Sequence, residues 1–417
     1  MKRSAWTAAM LAALLLTGCG ASSSDAAQTA VPEPAAEITE LGDTPAAPDA
    51  GFLVQEYGFA LNLLRSTPET ESGGNVMLSP YSVMQALGMT ANGADGQTRK
   101  EMENLLIGGG RSVDDLNKAL CGWRTGRPAE DGSCTLHTAN GIWINGTEQS
   151  VKPSFLQLNQ DYYAAEVHGM PFDDAALHSI NGFVQKETDG MVPEILQRLD
   201  SSAQLVLVNA VAFDAKWAAP YEKSQIKDGS FTNADGSSKT VPMMTGSESD
   251  YLEQDGAVGF LRYYDGQYAF AGILPPENLS VQAWLDAQTP ESLCSIIAGR
   301  TAQSVEATLP QFSADTSVQL ETILPKMGMQ TAFSDAADFS GISPNKLRID
   351  EVVHKTHIDV TAEGTKAGAA TAVVMTRGIS AMNAPDVKKV RLDLPFVYMI
   401  LDMTNELPVF IGTVQGL

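Results

Sequence analysis

Two stretches of the chain are apolar almost without a break. Residues 135–144, TLHTANGIWI, and 204–213, QLVLVNAVAF, are rich in β-branched and aromatic side chains. They predict strands buried on both faces, the interior of a large sheet. Helical spacing appears elsewhere. In SPYSVMQALGMTANG (79–93) the Ser-Pro pair signals a helix start, and Val83, Leu87 and Met84 fall on one face. HSINGFVQKETDG (178–190) reads as an amphipathic helix stopped at Gly190. The fold class expected is α+β, with large mixed sheets and packed helices.

One stretch fits neither pattern. Residues 363–375, EGTKAGAATAVVM, have few bulky groups and little helical amphipathicity. In an extended chain Thr365, Ala367, Ala369, Thr371 and Val373 share one face, and Lys366 falls on the other. The run can lie on a packed core as a strand, yet it is lean enough to live outside one. No proline occurs from 363 to 384, so no ladder donor is missing.

The N-terminus follows another logic. Lys2 and Arg3 precede an apolar stretch, Ala8–Leu16, too short to span a bilayer as a helix. It ends in Leu16-Thr17-Gly18-Cys19, which resembles a bacterial lipobox. That resemblance implies a signal peptide over 1–18 and a lipidated Cys19, tethering the protein extracytoplasmically to a bacterial membrane or cell surface. Residues 19–50 are dominated by Ala, Ser, Pro and acidic side chains and lack aromatics, which predicts a flexible linker. The folded body is expected over 51–417, as one large domain or two intimately packed lobes. The net charge of −23 argues against a nucleic-acid partner.

Candidate chemistry is sparse. His354 and His357 in VVHKTHIDV would face opposite sides of a strand, a poor metal pair. His-Glu-x-x-His, Gly-x-Ser-x-Gly, the phosphate-binding Gly-x-x-x-x-Gly-Lys and Gly-x-Gly-x-x-Gly are all absent. GGGRS (108–112) reads as a turn. No metal, cofactor or enzymatic activity is expected. Cys121 and Cys134 bracket a polar Gly/Pro-containing stretch, and a disulfide between them is left open. Cys294 is expected to be a buried free thiol.

Several segments, in order, resemble the serpin family of protease inhibitors: NVMLSPYSVMQALGMTANGADGQTRKEM (75–102), TANGIWIN (138–145), LVNAVAFDAKWAAPYE (207–222), FTNADGSSKTVPMM (231–244), LPKMGMQTAFSDAADFSGIS (324–343) and VVHKTHIDVTAEGTKAGAATA (352–372), then LPFVYMILD and PVFIGTV. The likeness spans about 51–417. It implies a serpin fold with an exposed reactive-centre loop, held outside the body as bait and inserted as a new central strand once a protease has formed its acyl-enzyme. The lean run is then the hinge side of that loop, with Glu363, Gly364, Thr365, Ala367, Ala369 and Thr371 as its hinge residues. Ser79, Ser82, Asn209 and His354 match the serpin cluster beneath the sheet where it must part, and Trp217 the tryptophan where the loop enters.

Partners implied by the resemblance are serine proteases in covalent complex, the protein itself being a monomer. Counting from Gly364 places the scissile bond near Arg377 and Gly378. Cleavage at Arg377–Gly378 would suit a trypsin-like pocket. Gly378–Ile379 and Met375–Thr376 are the alternatives, and they suit elastase-like or subtilisin-like enzymes. The other function class is a non-inhibitory binding lipoprotein on the same fold. The sequence names no physiological protease.

Overall fold

The computed structural model describes residues 47–67, 74–127, 134–147, 150–365 and 387–417. The signal peptide, Cys19 and most of the linker lie outside the described residues, as do Ala367, Ala369, Thr371 and the candidate bond from Met375 to Ile379.

Helix α1 (Ala50–Ser66) starts at Asp49, whose carboxylate accepts the Phe52 amide. Strand β1 (Val76–Leu78) runs into α2 (Pro80–Ala91). There Ser79 caps the helix by accepting the Ser82 amide, and Pro80 needs no donor in the first turn. The sequence expectation of one apolar face is too narrow, because every residue of α2 is buried. The helix lies against β-strands of both sheets as well as other helices, and its polar side chains are enclosed too.

Helix α3 (Gly96–Leu106) follows, then glycines 108–110 with positive φ, the turn expected from GGGRS. Next come α4 (Val113–Gly126), β2 (Cys134–Asn145), α5 (Pro153–Tyr163), β3 (Glu166–Met170), α6 (Asp174–Glu187) and β4 (Leu205–Lys216). Strands β5 (Ile226–Thr232), β6 (Ser238–Gln254), β7 (Ala257–Tyr263) and β8 (Tyr268–Leu274) lead to α7 (Val281–Ala287) and α8 (Pro290–Ala298). The chain continues through β9 (Thr301–Pro310), β10 (Phe312–Gln319), β11 (Glu351–Val360), β12 (Gly364–Thr365), β13 (Lys388–Arg391), β14 (Phe396–Asp402) and β15 (Leu407–Val414).

These strands form two sheets. One has six strands in the order β10-β11-β12-β4-β2-β3. The other has nine, with β1-β15-β14-β8-β7-β6-β9-β13 along its path and β5 paired to β6. Aromatic contacts tie one to the other: Phe213 of β4 meets Tyr264, Tyr268 and Phe410, and Phe312 of β10 meets Phe396 and Tyr398. On the other face of the six-stranded sheet, α6 buries Ile180 and Val184 with Trp143, Val206 and Val208. That two-sided cover explains why β2 and β4 read as near-continuous apolar runs.

The centre of the six-stranded sheet is divided. β11 and β4 are parallel neighbours from Glu351 opposite Val206 to Thr356 opposite Val211. Beyond that the two strands diverge, and β12 occupies the far end of the space. Thr365 pairs with Val360 of β11 and with Ala215 of β4, and Gly364 pairs with Lys216.

Candidate functional site

Two polar groupings sit along this divide. The first lies beneath the paired part of β11 and β4. Ser79 presents its amide to His354 Nε2 at 3.0 Å, so that nitrogen must accept. The proton is therefore on Nδ1, which donates to Asn209 Oδ1 at 2.6 Å. Asn209 Nδ2 donates to the Ser82 carbonyl at 2.7 Å, to Ser82 Oγ, and to Asn140 Oδ1 at 2.7 Å. Ser79 Oγ donates to the Val409 carbonyl at 2.8 Å. All four predicted cluster residues are fully buried. Burial pushes the His354 pKa down to about 3, because a charged imidazole here would lose water and gain no carboxylate.

The structure thus brings Ser79, Ser82, Asn209 and His354 together, and His354 and Asn209 are directly opposed across the β11–β4 pair. Two members were missed by sequence reasoning. Asn140 bonds Asn209 and in turn donates to Gln85 Oε1 at 2.6 Å. A polar residue inside the apolar run TLHTANGIWI was the available signal.

The second grouping surrounds β12. Trp217 donates its indole N–H to the Thr361 carbonyl at 2.9 Å and its backbone N–H to the Glu363 carbonyl at 3.0 Å. The Tyr221 amide donates to the Ala362 carbonyl at 2.8 Å. The turn 361–363 therefore hangs from these two aromatic residues. Trp217 stacks on Tyr264, with centroids 4.3 Å apart, and the Tyr264 hydroxyl is 2.5 Å from Thr365 Oγ1. Neither Tyr264 nor its bond to Thr365 was foreseen.

The hinge residues divide accordingly. Glu363 is exposed, while Gly364 and Thr365 are buried within the sheet. The expectation that the whole lean run stays outside the body is corrected here: its second and third residues already occupy the sheet. They can do so because they are small. A Cβ on Gly364 would collide with the Ala215 carbonyl oxygen and come within 2.8 Å of Lys216 Cα.

The cysteine expectations change too. Cys121 is a buried free thiol, and no disulfide joins it to Cys134. Cys121 on α4 lies 3.8 Å from Arg124 Nη2, whereas Cys134 begins β2 beside Gly266, so helix and strand direct them to different neighbours. Cys294 is free but half-buried rather than buried. His357 is on the opposite face from His354, held between Asp315 at 2.8 Å and Asp359 at 3.0 Å. Among the described residues no group of three or more His, Cys, Asp or Glu side chains could hold a metal ion. No described helix is long and apolar enough to cross a membrane.

Comparison with known proteins returns one family. The family model described as serpin (serine protease inhibitor) matches residues 55–416. A serpin-like protein of Thermococcus kodakarensis is 31% identical over 359 residues, covering 83% of this chain and 81% of the relative. The leukocyte elastase inhibitor of Bos taurus is 30% identical over 395 residues, covering 86% and 97%. Among solved structures, the thermophilic serpin tengpin in its native state superimposes with a TM-score of 0.81 at 37% identity, covering 88% of this chain and 95% of that one.

Proposed function

The chain belongs to the serpin family, and on that premise we propose that it is an irreversible suicide-substrate inhibitor of serine proteases that traps the acyl-enzyme by inserting its cleaved loop. The observation that carries this reading is the seating of Gly364 and Thr365 in register between β11 and β4.

Extending that register inward gives each following residue two neighbours. Ala367 would meet Ile358 and Phe213, Ala369 would meet Thr356 and Val211, and Thr371 would separate His354 from Asn209. Small groups suit the core face, where bulky or charged ones would overpack or be buried unpaired. Lys366 would emerge on the other face, beside Asp359 and Asp214. Insertion must break the His354–Asn209 bond, so the polar cluster sets how easily the strands part.

A dozen new backbone hydrogen bonds, at roughly 0.5–1.5 kcal/mol each, give on the order of 10 kcal/mol. About 15 inserted residues carry an attached protease roughly 50 Å. Both figures are large on the scale of a domain's stability and diameter.

We assign the scissile bond to Arg377–Gly378, with a trypsin-like target favoured and elastase-like or subtilisin-like enzymes next. Arg377 supplies the cation such a pocket binds; Gly378 has no side chain to offer. The lipobox-like N-terminus supports secretion and a lipid anchor at Cys19, so the inhibitor would act at a bacterial surface. It would be consumed stoichiometrically, without turnover.

The test is to mix the purified protein with trypsin and, separately, with an elastase. A complex that survives boiling in detergent, with a released C-terminal peptide whose mass begins at Gly378, is expected with trypsin. Cleavage of the loop by every protease tried, with no stable complex, would overturn inhibition in favour of a non-inhibitory binding protein.

A further inference from the structure

A buried ion pair stands behind the aromatic platform that carries the hinge. Arg262 of β7 pairs with Glu248 of β6, and the two side chains are only 6% and 9% exposed. The guanidinium lies over two rings: its Cζ is 3.7 Å from the Tyr221 centroid and 4.9 Å from that of Trp217. It also donates to the Ala219 carbonyl, within the segment that joins those rings. Gly246 leaves the room required. A Cβ there would stand 3.1 Å from Tyr221 Cε1, 3.2 Å from Arg262 Nη1 and 3.3 Å from Glu248 Oε1.

Tyr221 packs in the hydrophobic core as well as against the cation. Its hydroxyl is buried with no hydrogen-bond partner among the described residues, and the face of its ring lies on the cation. Yet Tyr221 and Trp217 supply all three bonds from which Thr361, Ala362 and Glu363 hang. Gly364 and Thr365 continue directly from that turn.

We propose that the Arg262–Glu248 pair is a positioning element that keeps the hinge seated, so that neutralising Glu248 releases Gly364 and Thr365 from the sheet. The inference rests on the insertion reading above and names a regulation of that same site. Without its counter-charge, a guanidinium buried between two rings must move toward water, and the rings with their three bonds move with it.

The site has the charge arrangement of a proton-sensitive contact. Burial raises the Glu248 pKa against the pull of Arg262, and Asp250 on the same strand adds to the rise. The facing groups are Arg262 from β7 and Tyr221 from the segment after β4. Tyr264 lies behind Trp217. β9 places Val305 opposite Glu248, and its Glu306 is paired with Lys389. His354 is a separate acid-sensitive group in the six-stranded sheet that the hinge enters, so variants are compared at each pH.

A fluorescent synthetic peptide of residues 365–376 serves as the probe, because its first residue competes for the place Thr365 fills. Its rate of annealing to the intact protein is measured from about pH 8 to about pH 5, for wild type, Glu248→Gln and Arg262→Met. At pH 8 both variants should take up peptide about tenfold faster than wild type. The ratio of Glu248→Gln to wild type should fall toward one as acid protonates Glu248 in the native protein. A ratio that stays constant with pH, or equals one at pH 8, overturns the proposal; a constant ratio is what a merely structural role would give. Should Glu248→Gln fail to fold, Arg262→Met carries the same comparison at pH 8. Failure of the wild-type protein to take up peptide at any pH would instead remove the insertion reading, and this inference with it.

Discussion

Thr365→Arg is the substitution that bears most directly on insertion. Thr365 is 0% exposed, and its hydroxyl meets Tyr264 at 2.5 Å. Replacement removes that bond, worth about 1 kcal/mol, and leaves the Tyr264 hydroxyl buried without it. The added guanidinium faces a desolvation penalty of several kcal/mol if it enters the same place. Even ~4 kcal/mol, placed on the insertion barrier, slows the step on the order of a thousandfold. Hydrolysis of the acyl-enzyme then overtakes trapping.

The assay is titration of a fixed amount of trypsin, followed by denaturing electrophoresis. Wild-type protein should give the covalent complex. Thr365→Arg should give free active protease and cleaved inhibitor. Thr365→Ala, which keeps a small side chain, should still form complex. Complex formation by Thr365→Arg at the wild-type yield would refute the argument that the hinge must be buried for inhibition to work.

Three further outcomes are expected. Cleavage of the loop should raise the melting temperature by about 20 °C or more, read by calorimetry on intact and nicked protein, since on the order of 10 kcal/mol is released. Glu56 is fully buried with neither carboxylate oxygen hydrogen-bonded among the described residues, and burial holds its pKa well above the usual range. Its native form therefore favours the proton: stability is full below the unfolded pKa and is lost as pH rises toward the folded one. Glu56→Met should raise stability at neutral pH by about 1–3 kcal/mol in denaturant titrations, and a loss would refute this. His354 is held neutral down to about pH 3, so its contribution is present above the unfolded value near 6.5 and is lost as pH falls from there. Wild-type protein should lose stability over that window more steeply than His354→Asn; parallel curves would count against it.

Much of this was legible in one dimension. The small residues after Glu363, the unbroken apolar strands and the Ser-Pro helix start are local patterns, and local patterns survive in a sequence because steric bulk and period do not need a partner to be read. The likeness of ordered segments to one family placed Ser79, Ser82, Asn209, His354 and Trp217 as candidates, and the structure joins the first four in one hydrogen-bonded group. Asn140 could have been added from its polar side chain in an apolar run.

Other features required the third dimension. The sequence could say that Gly364 and Thr365 would fit inside a sheet; only the register of β12 against β4 and β11 decided that they are already there. Arg262 and Glu248 lie 14 residues apart on neighbouring strands, and nothing in LRYY or GSESD marks them as a buried pair. Which faces meet depends on strand twist, a register shift within β6 and the approach of the 217–222 segment, none of which has a local signature. Cys121 and Cys134 show the same limit, close in sequence but turned by a helix and a strand toward different neighbours. Bulk and periodicity belong to the chain; the pairing of distant groups belongs to packing, which follows from the balance of many weak contacts at once.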